Sequence, residues 1–205
     1  MSKVSKVIGV RSMVGEDSEV MRNIKARRSV RDYLDKPVSE ESINHIIDAG
    51  IYAPTGFGSE PWFFVVVQNK EMMKRMSDYC KPKLLAQLKD MPNDNVTEFK
   101  KHLEHEDFDI FYDAPILVIV LGSNAGFTTD YDCAMCAQNM MLAATSMGIG
   151  SCWVGTACFI QDNVEFMSEL GIPYDYRVIA PIVFGYEKAS RERPPRQEPR
   201  VVWIH

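Results

Sequence analysis

Apolar residues along this chain follow two patterns that alternate from one end to the other. Continuous apolar runs occupy 62–67 (WFFVVV), 115–122 (PILVIVLG) and 177–186 (RVIAPIVFGY), and SCWVG (151–155) forms a shorter run or turn. Such runs are typical of strands buried on both faces. The intervening segments carry apolar residues at helical spacing. Strands that alternate with helices favour a layered α/β or α+β fold over a helical bundle.

Helices are predicted between these runs from capping residues and apolar stripes. Ser39 can cap a helix whose stripe contains Ile43, Ile46 and Ile47, and Pro54 ends it. Other helices are predicted at 19–29, 70–90, 130–148 and near 162–170. The segment 130–148 is apolar nearly all round, which predicts a buried central helix. The polar stretch 90–110 is predicted to be a mobile excursion with one helix.

Composition and charge narrow the class of protein. The chain has 205 residues, of which 46% are hydrophobic and 25% charged, so it has enough apolar residues for a core. A net charge of −5 argues against nucleic-acid binding. No segment reaches the roughly 20 apolar residues that span a bilayer. Five cysteines, an odd number, favour a reducing compartment, and we expect a cytoplasmic protein.

The domain organisation is predicted to be a single domain over 1–205, with an N-terminal arm at 1–18 and a C-terminal arm at 187–205. The arm ends in VVWI (201–204), an apolar segment beyond a Pro- and Arg-rich stretch. Because this segment has no obvious partner in its own chain, it could lie on another subunit.

Three segments carry candidate chemistry. RRSVR (27–31) groups guanidinium donors and a hydroxyl, a combination that suits phosphate but also occurs as a solvated turn at a helix end. APTGFGSEPW (53–62) could bring its backbone close to a flat ligand, or simply join helix to strand. GIGSCWVG (148–155) offers a glycine-rich turn, and the tail to 196 adds Arg193 and Arg196.

Two other clusters are weaker candidates. Cys133 and Cys136 form a C-x-x-C pair inside an apolar helix, where buried structural thiols are a better interpretation than thiol–disulfide exchange. His102 and Glu106 lie one helical turn apart in HLEHED but have no third strong ligand nearby, so a solvated helix face is the better interpretation there.

Taken in order and with their intervals, the segments resemble the nitroreductase-like FMN-dependent flavoproteins. The resemblance spans residues 24–200 and depends on a combination of short motifs: RRSVR (27–31), APTG (53–56), EPWFFVVV (60–67), GIGSCWVG (148–155), LGIP (170–173), VFGY (183–186) and PPR (194–196). It implies an α+β fold in which helices flank a central mixed or antiparallel sheet, and a C-terminal arm that crosses to the partner subunit of a homodimer.

The resemblance also implies roles for individual residues. Arg27 and Ser29 would hold the FMN phosphate with Arg196, Arg28 would follow the phosphate and ribityl chain, and Arg31 would face N1 and O2 of the ring. The loop residues Pro54, Thr55 and Gly56 would come from the partner subunit, and the amide around Gly155 would reach N5. The cofactor-binding set implied is Arg27, Arg28, Ser29, Arg31, Pro54, Thr55, Gly56, Gly58, Trp153, Val154, Gly155, Arg193 and Arg196.

The implied activity is that of an FMN-dependent NAD(P)H oxidoreductase. NADH or NADPH would pass a hydride to flavin N5, and a nitroaromatic, quinone or similar electron-poor acceptor would then receive it in a ping-pong cycle. No catalytic side chain and no metal is required, although Arg31 would stabilise charge near N1. Two alternatives stay open: a non-turnover flavin carrier, and a specialised branch that destroys flavin or dehalogenates reductively.

Overall fold

A four-stranded antiparallel sheet forms the centre of the structure, a computed structural model that describes residues 17–91, 93–189, 192 and 194–204. Its strands lie in the order β1-β2-β4-β3. Their bounds are β1 Trp62–Val67, β2 Ile116–Ser123, β3 Gly150–Trp153 and β4 Tyr176–Gly185. The α+β class and the antiparallel sheet predicted from the sequence are confirmed.

Helices cover both faces of this sheet. The helices are α1 Glu19–Ala26, α2 Glu40–Ile51, α3 Lys70–Gln87, α4 Asp94–Glu104, α5 Thr129–Ser146 and α6 Val164–Glu169, and 3-10 turns occupy Gly56–Gly58 and Gly155–Asp162. Side chains of β2 alternate between two cores. Val118 and Val120 pack towards α2 and α5, whereas Leu117 and Ile119 pack towards α3. This alternation explains why β2 is a continuous apolar run, since each face needs its own apolar row.

The strand β1 differs from the prediction of a buried strand. Among the residues that the structure describes, it pairs only with β2 and lies at the edge of the sheet. Phe63 and Val66 are consequently 39% and 44% exposed. An apolar run is compatible with an edge strand as well as a central one, because the run records side-chain type and not the number of neighbouring strands.

The first helix is shorter than the predicted 19–29. It begins at the Ser18 cap and ends at Ala26, and Arg27 already has an extended ψ of 133°. Beyond it, Ser29 forms a parallel bridge with Ser151, and the amide of Val30 donates to the Ser151 carbonyl at 2.9 Å. The basic segment therefore runs alongside β3 as extended chain, where tertiary hydrogen bonds replace helical ones.

The buried central helix predicted at 130–148 is confirmed as α5, which packs most extensively on α2 and the sheet. The helix is less completely buried than predicted, because the side chain of Tyr131 is 71% exposed. The 90–110 excursion contains the single helix α4, as predicted. In the part of the chain that is described, no helix combines the length and apolar character needed to cross a membrane.

The C-terminal arm starts by pairing with its own chain. Glu187 bridges Tyr33, and the amide of Lys188 donates to the Asp32 carbonyl at 3.1 Å. Further along, Val202 is 84% exposed and Ile204 is 94% exposed. That the arm crosses to a partner subunit stays a prediction.

Candidate active site

A cavity of about 930 Å³ opens beside β3, at the edge of the sheet opposite β1. It brings together four residues that the sequence motifs singled out: Arg31, Trp153, Val154 and Gly155. The other lining residues are Phe99, His102, Phe108, Tyr112, Cys152 and Thr156. Its volume lies in the range of pockets that hold small molecules or cofactors.

Next to this cavity lies an arginine cluster, formed by Arg27, Arg28 and Arg196. Burial lowers the pKa of Arg27, and the nearby positive charges of Arg196 and Arg28 lower it further. The tail thus brings Arg196 close to the N-terminal basic segment. Among the described residues, no carboxylate forms an ion pair with these three guanidinium groups. Like charges held together in this way favour the binding of an anion.

The donor geometry of Arg28 also fits an anionic group. Its Nη1 donates to the carbonyls of Lys25 and Arg27 at 2.8 and 2.7 Å, which fixes the guanidinium. Its Nε is buried and has no hydrogen-bond partner within the described residues, and the same holds for Oγ of Ser151. Buried donors of this kind are costly unless a ligand accepts from them, so the cluster is chemically suited to the phosphate of a cofactor such as FMN.

One side of the cavity is an aromatic wall, formed by Phe99, Phe108 and Tyr112. The rings of Phe99 and Phe108 meet edge to face at 6.2 Å, and those of Phe108 and Tyr112 meet at 6.1 Å. His102 lies 5.8 Å from Phe108. The Arg31 guanidinium lies 5.8 Å from the Tyr112 ring, so the wall reaches the basic side of the cavity.

A strained turn holds Tyr112 in this wall. Tyr112 and Asp113 have φ values of 58° and 54°, a region that L residues avoid. The Asp109 carboxylate accepts hydrogen bonds from the amides of Phe111 and Asp113 at 3.0 and 3.2 Å. Burial raises the pKa of Asp109 although these amides act in the opposite direction. The carboxylate thereby supports a backbone shape that local preferences oppose.

The 53–61 loop is organised by a buried carboxylate at the start of α5. Asp132 is 2% exposed and accepts hydrogen bonds from the Gly56 amide at 3.1 Å and from Oγ of Ser59 at 3.3 Å. Thr128 donates to the same carboxylate at 2.9 Å. The loop is strained, since Phe57 has a φ of 57°. Asp132 therefore anchors the loop at Gly56 and Ser59, the loop that carries the predicted site residues Pro54, Thr55, Gly56 and Gly58.

These loop residues lie far from the cavity within one chain. The loop leads into Trp62, which pairs with Gly122 near the end of β2. The basic segment lies beside Ser151 of β3. Ser151 pairs with Phe184 of β4, which in turn pairs with Ile116 at the start of β2. The offset is about 20 Å along the strands and about 14 Å across three strand spacings. One chain therefore does not bring both halves of the predicted site together. Arg193 lies outside the described residues.

Comparison with known proteins places this fold and cavity in a family. The model of the nitroreductase family matches residues 24–186. A Methanothermobacter thermautotrophicus protein, whose name combines NADH dehydrogenase with NAD(P)H nitroreductase, is 31% identical over 174 residues, 82% of this chain and 77% of its own. This chain belongs to the nitroreductase family. The resemblance drawn from the sequence motifs is confirmed.

Solved structures agree with this assignment to the nitroreductase family. A nitroreductase with bound FMN from Bacteroides fragilis has a TM-score of 0.77 and 30% identity, and the match covers 92% of this chain and 100% of that one. An iodotyrosine deiodinase bound to FMN and 3-iodo-L-tyrosine also has a TM-score of 0.77, covering 91% and 99% of the two chains. At 17% identity, the deiodinase shows a shared fold alone.

The cysteine pair of this nitroreductase-family chain is buried, as predicted. Cys133 and Cys136 are both fully buried in α5, and burial raises the pKa of each thiol to about 12. Thiols in this state are poor nucleophiles at neutral pH. Unlike this pair, Cys152 lines the cavity, next to Trp153.

Several residues of the site were not identified from the sequence. Asp132 and Tyr112 belong to no recognisable sequence motif. Phe108 lies in the stretch 90–110, which the sequence analysis describes only as polar. Asp132 could have been noticed as an acidic residue in the first turn of an otherwise apolar helix. A carboxylate buried at such a position requires hydrogen-bond donors around it. For Tyr112 and Phe108, the signal was aromatic residues within a charged segment.

Proposed function

We propose that this protein is an FMN-dependent NAD(P)H oxidoreductase that reduces nitroaromatic, quinone or similar electron-poor acceptors. The observation that carries the proposal is the arginine cluster beside a cavity lined by Arg31 and the aromatic wall, in a chain of the nitroreductase family. The nicotinamide donor is proposed because the names of relatives include NAD(P)H nitroreductase. FMN is proposed as the cofactor because the Bacteroides fragilis structure contains it. Bound FMN would supply the chemistry of accepting and donating a hydride.

The arginine cluster would bind the cofactor phosphate. Planar guanidinium groups can each donate two hydrogen bonds to phosphate oxygens, and the buried Nε of Arg28 adds one that the described chain leaves without an acceptor. Ser29 is half-buried between Arg28 and Val30 and would add a hydroxyl. Burial and then the charges of Arg196 and Arg28 lower the pKa of Arg27, and a bound phosphate would offset this repulsion between the guanidinium groups.

Arg31 and the β3 segment would orient the reactive part of the site. Arg31 lines the same cavity as Trp153 and Val154, so a flat ring bound there would meet both apolar surface and a positive charge. A guanidinium fixed before reaction lowers the energy of negative charge that develops next to it. The aromatic wall excludes water from the same space and offers stacking surface to planar acceptors.

A homodimer would complete the site, because the 53–61 loop of one chain is too distant to reach its own cavity. Exposed apolar side chains support a large interface. Phe57 and Phe127 form a ring pair at 5.9 Å and are 91% and 81% exposed, and Val20 on α1 is 66% exposed. Exposed apolar surface of this kind is typical of protein interfaces. In the dimer, the loop of each chain would cover the cavity of the other.

The cofactor and donor are tested on the purified protein. Protein prepared with ample FMN should be yellow, and acid should release free FMN. Under anaerobic conditions NADH or NADPH should bleach the visible flavin band, and a quinone should restore it. Steady-state plots at several acceptor concentrations should be parallel, as a ping-pong scheme requires. Protein that binds FMN but is bleached by neither donor would indicate a flavin carrier instead.

The charge assigned to Arg31 is tested by comparing two substitutions. Arg31→Ala should slow bleaching by the donor more than it weakens FMN binding, because the charge it stabilises develops during the reaction. Arg22→Ala is the matched control, since Arg22 lies on α1 and donates to the Asp17 carbonyl away from the cavity. Equal losses in rate and binding for Arg31→Ala would reduce its role to holding the cofactor.

The oligomeric state is tested by light scattering. We expect the mass of two chains for the flavin-bound protein. Deleting residues 197–205 should shift the mass towards one chain and lower the FMN content, because the apolar end of the arm would no longer cover the partner. A single-chain mass for fully flavin-loaded protein would refute the shared site.

A further inference from the structure

Lys81 on α3 makes an unusual set of contacts for a lysine. Its Nζ donates to three backbone carbonyls, those of His105, Glu106 and Phe108, at 3.0, 2.9 and 3.0 Å. Its side chain is only 11% exposed, and the nearest carboxylate, Asp78, is 3.8 Å away. The hydrogen bonds of the ammonium therefore go to the backbone of one turn, while its ion pair with Asp78 is long, at 3.8 Å.

The carbonyls that Lys81 binds belong to the turn that follows α4. They lie just beyond the C-terminal end of α4 (Asp94–Glu104), where a positive charge is favourable. Hydrogen bonds from a charged donor are stronger than those between neutral groups. Lys81 thus holds the turn against α3.

A second contact from the same face of α3 extends this clamp. Ser77, one helical turn before Lys81, accepts a hydrogen bond from the amide of Ile110 at 3.0 Å. Ser77 is fully buried, so its contact is shielded from water. Lys81 and Ser77 together fix both ends of the segment 105–110.

The clamped segment carries the centre of the aromatic wall. Phe108 lies between Phe99 and Tyr112, and it contacts both rings edge to face. All three line the cavity. Movement of the turn would shift Phe108 first, and the wall would lose its packed geometry. A dense wall selects by shape, whereas a loose wall accepts ligands of several shapes.

We infer that Lys81 is a positioning residue which sets the shape selectivity of the cavity for planar aromatic acceptors. It acts through the carbonyls of the 105–108 turn and hence through Phe108, without touching the acceptor. The inference rests on the proposed function, since it concerns the acceptor of that same site. It requires that planar acceptors pack against the wall, while acceptors without a flat ring do not.

The test compares Lys81→Met with Lys81→Arg in the flavin-loaded protein. Met keeps the length of the side chain but removes all donors, and Arg restores donors. Lys74→Met is the matched control, because Lys74 is an exposed lysine on the same helix that bonds Asp78. Two readouts are measured: hydrogen exchange of the 105–111 amides, and kcat/KM for menadione, a planar quinone, relative to ferricyanide, which has no aromatic ring.

Lys81→Met should accelerate exchange of the 105–111 amides and lower the menadione-to-ferricyanide ratio by about tenfold or more, mainly through KM for menadione. Lys81→Arg should restore most of the ratio, and Lys74→Met should leave it unchanged. Phe108→Leu, which alters the wall without touching the clamp, should lower the ratio by a similar factor. Phe108→Leu therefore tests the wall independently, so the role of the wall is decided even when Lys81→Met folds poorly.

Three results would overturn the inference. Faster exchange with an unchanged ratio in Lys81→Met would leave Lys81 a stabilising role only. An unchanged ratio in Phe108→Leu would show that the wall does not select acceptors. A wild-type protein that neither binds FMN nor reduces either acceptor would instead overturn the proposed function and this inference with it, which distinguishes the two failures.

Discussion

Gly150→Ala is expected to create a steric clash next to the basic segment 27–31. Gly150 opens β3, and a Cβ added there would lie 2.7 Å from Cγ2 of Val30 and 3.0 Å from its Cβ. Contacts under 3.0 Å do not occur between real carbon atoms of this kind, so Val30 must move. Val30 has little freedom to do so, because it is 2% exposed and its amide donates to the Ser151 carbonyl at 2.9 Å.

The cost follows from this geometry. Overpacking a core position typically costs about 1–3 kcal/mol in the free energy of unfolding. Movement of Val30 would also displace Ser29 and Arg31, because these residues are its neighbours along the chain. Loss of one well-placed hydrogen bond to a charged group costs about 1.5–3 kcal/mol. We therefore expect FMN affinity to fall by roughly tenfold to a hundredfold, in addition to the loss of stability.

The assay is a double-mutant cycle with Val30→Ala. Unfolding in urea is followed by circular dichroism without FMN, because bound FMN would add its own binding free energy to the stability. The dissociation constant of FMN is measured separately by quenching of flavin fluorescence. Val30→Ala alone should cost about 2 kcal/mol through its lost methyl groups. The same change makes room for the new Cβ, so the double variant should lose at least about 1 kcal/mol less than the sum of the single variants.

Gly155→Ala is the matched control for stability. A Cβ at Gly155 would have its nearest neighbour, Nε1 of Trp153, at 3.8 Å, which is an ordinary contact. Its free energy of unfolding should stay within about 0.5 kcal/mol of wild type. Strict additivity in the Val30 cycle, or wild-type stability and FMN affinity for Gly150→Ala, would refute the steric reasoning.

Three further predictions concern other parts of the site. Arg27→Ala should weaken FMN binding by about 1.5–3 kcal/mol in fluorescence titrations, and unchanged binding would remove Arg27 from the phosphate site. Asp132→Ala leaves the Gly56 amide without its acceptor, so the melting temperature and the fraction of dimer in sedimentation should both fall; a change in neither would contradict the anchoring role of Asp132. Burial raises the pKa of Cys136 to about 12. The unfolded chain, whose thiols have a pKa of about 8.5, releases this proton first, so stability should decrease as the pH rises from about 8.5 towards 12. The free energy of unfolding is measured in urea at pH 8.5 and at pH 10. Between these two values it should fall by about 1–2 kcal/mol less in Cys136→Ala than in wild type. Equal falls in the two proteins would contradict the buried-thiol account.

Local patterns in the sequence determined most of the elements and part of the site. The apolar runs predicted β2 and β4, and Ser39 caps α2 as expected, accepting from the Ser42 amide at 3.2 Å. These features are encoded within a few neighbouring residues, because side-chain periodicity and capping act over one or two turns. The short motifs also predicted the family. Arg31 and Gly155, which those motifs singled out, line one cavity, and their roles there stay a prediction.

Only the tertiary structure decided which of these elements meet. Nothing near Trp62 in the sequence indicates that β1 is an edge strand, since strand order depends on contacts across the whole chain. The bond between Gly56 and Asp132 joins residues 76 positions apart, and Lys81 reaches the Phe108 carbonyl across 27 positions. Contacts at such separation form only when the entire sheet assembles, because loop closure must be compensated by packing elsewhere. For that reason the roles of Asp132, Lys81 and the aromatic wall could be recognised only in the folded chain.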